Sequence, residues 1–288
     1  MNKLSHSWEA EVQRGERFAF GENWAAFLRL LTEERIRTAE GSLKDMLRLD
    51  RLDGKRFLDA GSGSGLFSLA ARRLGADVVS FDFDPQSVGC TAELKRRYFH
   101  DDVRWRVEQG SVLDPDFLSS LGAFDIVYSW GVLHHTGAMW NALEKVAQLV
   151  APGAQLFIAI YNDQGRTSRI WKLVKTAYVR APGVLKWLVL APAFARLWGP
   201  TLLRDSLSGT PLRTWKTYDS DAMRAMDPWR NVLDWVGGYP FEVARPDQIF
   251  EFFRGRGFEL QRLKTCAGGH GCNEFVFIRS AAARALTM

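Results

Sequence analysis

Short apolar segments alternate with amphipathic segments along the first half of the chain. This pattern predicts strands over residues 56–60, 77–82, 104–108, 124–129 and 155–161, and helices over 66–74, 85–98 and 139–150. Strands separated by helices at this spacing form a parallel sheet with helices on both faces. The fifth strand, QLFIAIY, is apolar on both faces, which is typical of a strand buried inside such a sheet.

The two ends of the chain extend this α/β pattern. Apolar residues at helical spacing predict one helix over 22–49. The alternation stops after the fifth strand and later resumes with a helix over 246–256 and strands over 258–265 and 273–279. The Gly-rich loop 267–271 between the last two strands is short, and so short a connection joins antiparallel neighbours.

A glycine-rich motif, FLDAGSGSG, follows the first predicted strand. Its three glycines, Gly61, Gly63 and Gly65, allow a sharp turn and a close approach of the backbone to a ligand. Asp59 precedes them, where a carboxylate would repel a pyrophosphate but would favour a ligand with an ammonium group. Asp82 ends the second strand, where a carboxylate can accept hydrogen bonds from both hydroxyls of a ribose.

Together with FDIVYSWGVLHHT (124–136) and LVAPGAQLFIAIY (149–161), this motif closely resembles the class I S-adenosylmethionine-dependent methyltransferases. Within that family the chain resembles the branch of ubiquinone, menaquinone and other small-molecule methylases. The resemblance covers 55–161 and 245–279. It implies a Rossmann-like, seven-stranded, mainly parallel sheet of order 3-2-1-4-5-7-6 with the last strand antiparallel, and S-adenosyl-L-methionine as the cofactor.

The resemblance also implies a set of cofactor contacts. The residues expected around the methionine part are Asp59, Gly61, Ser62, Gly63 and Gly65. Asp82 is expected at the ribose, Phe83 near the adenine, Val112 at the adenine edge, and Trp130 beside the reactive methyl group. The family commonly has an acid for the exocyclic amine of the adenine, and here either Ser111 or Asp114 is available for that contact.

Four residues are candidates for a role at the acceptor. The cofactor already carries an activated methyl group, so the enzyme has to align a nucleophile and exclude water. An oxygen or nitrogen nucleophile also loses a proton, for which His134 or His135 is suitable as a base, although either could instead have a structural role. Tyr239 and His270 are expected to face the substrate. Cysteines beside His270 lack the paired spacing of a zinc site, so no metal is expected.

The positive charge of the chain is concentrated in one segment. The 288 residues carry a formal net charge of +5, yet residues 1–163 contain 19 Lys/Arg and 23 Asp/Glu. Residues 164–204 contain eight Lys/Arg and no acid, and six of the 11 Trp lie between 164 and 240. The composition, 47% hydrophobic and 25% charged, is that of a globular protein and excludes a disordered or fibrous one.

These changes in pattern predict three parts. They are an N-terminal helical lid at 1–54, a methyltransferase core formed by 55–161 and 245–280, and a helical insertion at 162–244 that caps the substrate. The aromatic segment 18–24, FAFGENW, either covers the cofactor or acts as a hydrophobic staple for the following helix.

The basic part of the insertion, 166–204, mixes Trp and Leu with cations, and its first helix is expected to be amphipathic. Pro182, Pro192 and Pro200 are expected to divide the rest into short pieces. Three interpretations remain open: contact with an anionic membrane surface, a pocket for an anionic or lipid-linked substrate, and a solvated cap or dimer surface.

The predicted function is the transfer of a methyl group from S-adenosylmethionine to an O, N or C nucleophile of a small, lipid-like or anionic molecule. An RNA methyltransferase is an alternative, although no RNA-binding module accompanies the basic segment. A non-catalytic, cofactor-binding docking protein is another. Few cysteines, no apolar N-terminal segment and no transmembrane stretch predict a cytoplasmic protein, with association at the inner face of the membrane as the alternative. The oligomeric state is not predicted.

Overall fold

The computed structural model describes residues 3–218 and 228–281, and a seven-stranded sheet lies at its centre. The strands are β1 Arg56–Ala60, β2 Asp77–Asp82, β3 Trp105–Gln109, β4 Phe124–Trp130, β5 Val150–Tyr161, β6 Phe258–Lys264 and β7 Cys272–Arg279. Their order in the sheet is β3-β2-β1-β4-β5-β7-β6. The first five are parallel, and β7 runs antiparallel to both β5 and β6. The predicted fold class, strand order and antiparallel last strand are confirmed.

Twelve α-helices are described within these residues. They are α1 Lys3–Gln13, α2 Gly21–Phe27, α3 Glu33–Leu47, α4 Leu66–Arg73, α5 Pro85–Tyr98, α6 Pro115–Leu121, α7 Met139–Gln148, α8 Arg166–Arg180, α9 Lys186–Leu207, α10 Arg213–Lys216, α11 Pro228–Gly237 and α12 Pro246–Arg254. None of the described helices is long and apolar enough to cross a membrane.

Both faces of the sheet are covered by helices, as the pattern predicts. One hydrophobic core, under α6, α7 and α12, includes Leu143 and Phe253. The other, under α2, α3, α4 and α5, includes Leu43 and Trp105. All four side chains are completely buried. Two such layers fix the strand ends in space, and loops at those ends carry the site.

The single helix predicted over 22–49 is wrong, because the chain turns between α2 and α3. Thr32 adopts an extended conformation and its hydroxyl accepts a hydrogen bond from the Arg35 N–H at 3.3 Å, which caps the start of α3. Glu33 and Glu34 follow in the first turn, where negative charge is favourable.

The prediction that prolines divide the insertion into short pieces is also wrong for α9, which runs unbroken for 22 residues through Pro192 and Pro200. Each proline removes one backbone hydrogen bond, but both side chains are exposed, so water can solvate the freed carbonyl groups. The buried Leu190 and Trp198 on the opposite side anchor the helix and offset that loss.

The insertion has a small hydrophobic core of its own. Residues of α8, α9 and α11 form a third cluster that includes Trp171, Tyr178, Trp198 and Val236. Tyr161, at the end of β5, packs against it and connects it to the sheet. Residues 219–227, which also fall in the predicted insertion, lie outside the described residues.

Candidate active site

A cavity of about 690 Å³ opens at the carboxyl ends of the parallel strands, between the sheet, the N-terminal segment and the insertion. Most of the candidate residues line it: Asp59, Gly61, Ser62, Gly63, Asp82, Phe83, Ser111, Val112, Trp130, His135 and His270. Four candidates do not: Gly65, Asp114, His134 and Tyr239. The structure thus brings together, around one cavity, candidate residues from the ends of β1 to β4 or the loops after them and from the loop before β7.

The glycine-rich turn after β1 has a backbone that other residues tolerate poorly. Gly61 has a φ of +86°, and a Cβ atom there would overlap the side chain of Val132. Gly65 has a φ of +80°, and its Cβ would lie 2.8 Å from the Cα of Thr91. Gly65 therefore shapes the turn without lining the cavity, and the backbone between the two glycines is left open to a ligand.

A chain of buried hydrogen bonds orients Asp59. The Ser68 hydroxyl donates to Oδ2 of Asp59 at 2.5 Å, the Ser80 hydroxyl donates to Ser68 at 2.8 Å, and the Trp105 indole N–H donates to Ser80 at 2.9 Å. All the donors point toward the carboxylate, which is only 2% exposed. These hydrogen bonds hold Asp59 in one orientation, in which it can meet a ligand cation.

Asp82 supports the same turn from the next strand. Its Oδ2 accepts a hydrogen bond from the Gly63 N–H at 2.9 Å, and its Oδ1 accepts one from the Asp84 N–H at 2.9 Å. Burial raises the pKa of Asp82 to about 7, and the nearby carboxylates of Asp84 and Asp59 add to the rise. Its ionisation is therefore sensitive to a bound ligand.

The structure separates the two candidates for the adenine edge. Asp114 caps α6, where its Oδ1 accepts hydrogen bonds from the N–H groups of Asp116 at 3.0 Å and Phe117 at 3.2 Å. Its carboxylate thus caps a helix and does not line the cavity, which favours Ser111 for the contact with the adenine amine. Ser111 lines the cavity and is the polar side chain that this loop offers there.

His134 is not placed to act as a base. Its side chain is completely buried and its Nδ1 accepts a hydrogen bond from the Tyr161 N–H at 3.3 Å. Burial lowers the pKa of His134 well below its usual value, so the ring is neutral. The ring contacts the aromatic ring of Tyr161, with 3.9 Å between centroids, and supports the end of β5.

His135 lines the cavity, but as a neutral ring. Its Nδ1 lies 2.6 Å from the carbonyl oxygen of Pro240, which makes Nδ1 the donor and leaves Nε2 as the acceptor. Burial, with the positive charge of Lys175, lowers the pKa of His135 to about 3. A group with so low a pKa accepts a proton poorly at neutral pH, so His135 is better suited to positioning than to base catalysis.

The other two acceptor candidates have different placements. His270 lines the cavity and packs at 5.2 Å from the ring of Trp235 and 6.0 Å from that of Trp171, measured between centroids. The Tyr239 side chain does not line the cavity; its backbone carbonyl accepts a hydrogen bond from the Phe18 N–H at 2.8 Å. Tyr239 thus contributes no side chain to this cavity wall, and its role at the acceptor stays a prediction.

The N-terminal segment contributes cavity residues that the sequence motifs did not identify individually. Arg17 donates a hydrogen bond to the carbonyl of His135 at 3.0 Å, and its guanidinium lies 5.0 Å from the centre of the Phe83 ring. Trp24 covers the glycine-rich turn, with its indole Nε1 3.1 Å from the position that a Cβ of Gly63 would take. The aromatic segment 18–24 therefore both packs on the core and walls the cavity.

The insertion contributes a mostly aromatic wall. The cavity residues on this side include Tyr161, Trp198, Tyr218, Asp234 and Trp235. None of them was assigned to the site from the sequence, although the aromatic residues around Gly237 and Gly238 indicated a packed wall. Aromatic side chains with a few polar groups are typical of sites for small molecules.

The residues present fit S-adenosylmethionine. The backbone of the turn at Gly61–Gly65 leaves a cradle that side chains would fill, and two carboxylates, Asp59 and Asp82, border it. Phe83 and Val112 supply an apolar wall suited to an adenine. Among the described residues, no group of three or more His, Cys, Asp or Glu could hold a metal ion.

Comparison with known proteins identifies a family for this chain. A family described as a methyltransferase domain matches residues 31–199. A ubiquinone biosynthesis O-methyltransferase of Bradyrhizobium sp. (strain ORS 278) is 30% identical over 160 residues, covering 56% of this chain and 57% of that protein. A protein of the same name from Mesorhizobium japonicum is 30% identical over 187 residues, covering 63% and 69%. The alignment thus spans little more than half of the first relative.

Solved structures share the fold at low sequence identity. An O-methyltransferase family protein from Burkholderia thailandensis has a TM-score of 0.52 at 13% identity, covering 86% of this chain and 57% of that chain. PKMT2 from Rickettsia typhi in complex with AdoHcy has a TM-score of 0.50 at 14% identity, covering 79% and 49%.

The sheet and the cavity at its carboxyl edge define a Rossmann-like methyltransferase domain, and the matching family covers more than half of the chain. The chain belongs to the class I S-adenosylmethionine-dependent methyltransferases, and among them it is similar to the ubiquinone biosynthesis O-methyltransferases. S-adenosylmethionine is the cofactor of this family. The contacts predicted for individual residues with it stay predictions.

Proposed function

We propose that this protein is an O-methyltransferase that methylates a ring hydroxyl of a small, lipid-like molecule. The observation that carries this proposal is the continuity of the cavity, in which the glycine-rich turn and an aromatic wall from the insertion border the same space. Flat aromatic walls favour a planar ring. The name of the Bradyrhizobium and Mesorhizobium relatives supports oxygen as the methylated atom and a ring-bearing lipid as the acceptor class.

Bound S-adenosylmethionine supplies an electrophilic methyl group. Asp59 and the backbone of the glycine-rich turn would hold its amino acid part, Asp82 its ribose hydroxyls, and Ser111 with Phe83 its adenine. Trp130, at the end of β4, would border the methyl group. These residues bind and orient the cofactor, and the hydrogen bonds that fix Asp59 and Asp82 in the ligand-free protein reduce the cost of that orientation.

The insertion, 162–244, would then act as the substrate cap. The ring of Trp235, in the insertion, packs against those of Tyr161 and His270 outside it, and together they would enclose the acceptor and exclude water. His135 would accept a hydrogen bond through Nε2, because Nδ1 is bound to Pro240. The N-terminal segment, in the predicted lid 1–54, would close the cofactor side.

The test is the formation of S-adenosylhomocysteine by the purified chain with three substrates offered separately: hydroxylated aromatic compounds, a total lipid extract and tRNA. We expect product with the first two and none with tRNA. Product with tRNA alone would establish the RNA methyltransferase alternative. Tight S-adenosylhomocysteine binding without turnover of any of them would instead support a docking protein.

We also propose that the outer side of the insertion docks on an anionic membrane surface. Exposed apolar side chains on α8 and α9 include Leu173, Trp187 and Leu188, which are 70%, 59% and 72% exposed. Exposed cations of α8 accompany them, namely Arg166, Arg169, Lys172 and Arg180. Apolar and basic side chains together suit the interface of an anionic bilayer, from which a lipid-like acceptor would enter the cap.

Sedimentation with vesicles tests this docking. We expect binding to vesicles of phosphatidylcholine with phosphatidylglycerol, and weak binding to phosphatidylcholine alone. Leu173→Ser with Leu188→Ser should reduce binding, whereas Val103→Ser, which changes a side chain that is 91% exposed before β3, should not. Equal binding to both kinds of vesicle, or no effect of the double variant, would contradict the proposal.

A further inference from the structure

One carboxylate on the aromatic wall has no part in the cofactor contacts. Asp234, on α11, lines the cavity, and its Oδ1 accepts a hydrogen bond from the Asn23 side-chain amide. The amide oxygen of Asn23 in turn accepts a hydrogen bond from Arg230 at 3.1 Å. Among the described residues, Asn23 is the side chain that donates to this carboxylate, and it does so to Oδ1. Oδ2 therefore remains as an acceptor for a ligand.

The partner of Asp234 places it beside the cofactor end of the cavity. Asn23 precedes Trp24, the side chain that covers Gly63 of the glycine-rich turn. On the other side, Trp235 follows Asp234, and its ring lies 5.4 Å from that of Tyr161 at the end of β5. Asp234 therefore lines the same cavity as the glycine-rich turn, and its hydrogen bond with Asn23 connects the aromatic wall with the segment that covers this turn.

The charged groups around Asp234 are few and identifiable. Burial raises its pKa to about 7, while the Asn23 hydrogen bond and the positive charges of Lys175 on α8 and Arg230 on α11 oppose the rise. His135, on the same cavity wall, is neutral. Lys175 is completely buried, donates to the Trp235 carbonyl, and has its Nζ 4.5 Å from the centre of the Trp235 ring.

We propose that Asp234 binds the hydroxyl of the acceptor and takes its proton during methyl transfer, an inference that rests on the proposed O-methyltransferase function. The O–H bond breaks and its proton goes to Oδ2 of Asp234. The electron pair of the oxygen forms the new O–C bond, and the pair of the broken C–S bond stays on sulfur. Asn23 is a positioning residue, because it holds Oδ1 so that Oδ2 faces the cavity.

Asp234 suits this task better than the two histidines. His134 is enclosed, and although Nε2 of His135 is left as an acceptor, burial lowers the pKa of that ring to about 3. A base is most effective when its pKa lies near the working pH, which holds for Asp234 and not for His135. The same aromatic surroundings that bind a ring exclude the water that would otherwise compete for the proton.

Binding of an acceptor probe tests the proton acceptor without turnover. Protein saturated with S-adenosylhomocysteine, which also satisfies Asp82, is titrated with catechol at pH 6.5 in two buffers of different ionisation enthalpy. We expect catechol binding to release protons from the unchanged protein, because it requires the ionised form of Asp234, and to release none from Asp234→Asn. Equal proton release from both proteins would overturn the proposal.

Turnover of two acceptors of different acidity gives the second readout. With catechol, Asp234→Asn should lower kcat/KM by about 100-fold or more. With 4-nitrocatechol, whose hydroxyls lose a proton more readily, the loss should be much smaller. An equal decrease in kcat/KM with both acceptors would show that Asp234 has a structural role only, and it would overturn the proposal. Asp247→Asn, a matched change of an exposed carboxylate on α12, should leave both rates unchanged.

Asn23→Ala supplies an independent variant, since it leaves the carboxylate in place. Loss of the amide donor should shift the acidic limb of the kcat/KM profile to higher pH, because that hydrogen bond lowers the pKa of Asp234. An unshifted profile would contradict the positioning role. If the unchanged protein methylates no hydroxylated ring, the proposed O-methyltransferase function fails. If Asp234→Asn is fully active, only the role proposed for Asp234 fails.

Discussion

The hydroxyl of Ser68 lies 2.5 Å from Oδ2 of Asp59 and donates a hydrogen bond to it inside the core. Ser68 is completely buried on α4, so this bond connects the helix that follows the glycine-rich turn with the strand that precedes it. The two sides of the turn are thereby held together at the carboxylate that would meet the ammonium group of the cofactor.

Ser68→Ala should therefore weaken cofactor binding. It removes a hydrogen bond to a charged group, for which about 2 kcal/mol, or a roughly 10- to 30-fold rise in the Kd of S-adenosylhomocysteine, is expected. Calorimetric titration measures the Kd. Ser119→Ala, at an exposed position of α6, is the control. An unchanged Kd in Ser68→Ala would show that the bond does not orient Asp59 for binding.

Cofactor affinity should depend on pH through Asp82. Its pKa of about 7 in the ligand-free protein means that it is largely protonated below pH 7, whereas ribose hydroxyls donate to the ionised form. Binding should therefore tighten as the pH rises, by up to about tenfold per unit below pH 7, and level off above it. Kd values of S-adenosylhomocysteine at pH 5.5, 6.5 and 8 check this. Asp82→Asn should bind weakly at each pH without this slope.

Lys175 should make the stability of the fold rise in mildly alkaline solution. Burial lowers its pKa from 10.5 to about 7, so between these values the unfolded chain binds more protons than the folded one. Stability then increases with pH across that window, by about 1.4 kcal/mol per unit at most. Urea unfolding at pH 7, 8 and 9 should show a rise that is reduced in Lys175→Met. Identical slopes would contradict the assignment.

Replacement of a proline within α9 should stabilise the protein. Pro192 is exposed in the helix interior, so Pro192→Ala restores a backbone donor and should add about 1–3 kcal/mol to the free energy of unfolding. Pro182 precedes the helical region with a ψ of 150°, and Pro182→Ala should bring no such gain. Chemical denaturation of the two variants makes the comparison, and equal effects would argue against a helical Pro192.

The core of the fold was predictable because its signals are local. Each strand of the parallel sheet is a short apolar run. The glycines after Asp59 are spaced as in a turn that leads from a strand into a helix and approaches a ligand closely. The sequence also allowed the N-cap of α6 to be predicted, because an Asp before a proline, as at Asp114-Pro115, is typical of a helix start. The resemblance of the loop to an adenine site favoured a different role for that carboxylate.

The acceptor side was not predictable, because its contacts join distant parts of the chain. Asn23 and Asp234 are 211 residues apart in sequence, and nothing near either one indicates the other. In the sequence, nothing distinguishes Lys175 from the exposed cations around it in the basic segment. Its position on α8 nevertheless buries its side chain. Which of the eight cations is buried depends on tertiary packing. The hydrophobic periodicity of the sequence indicates the buried face of a helix only approximately.

The pairing of Phe18 with Tyr239 and of Asn23 with Asp234 has a consequence for how the protein is made. Phe18 and Asn23 lie on the cofactor side of the cavity, but their partners are synthesised much later, in the case of Asn23 and Asp234 after a separation of 211 residues. The sheet edge and the glycine-rich turn can form earlier, while the wall over them stays incomplete. We therefore expect the wall that would enclose a bound cofactor to be completed only after the insertion has been translated.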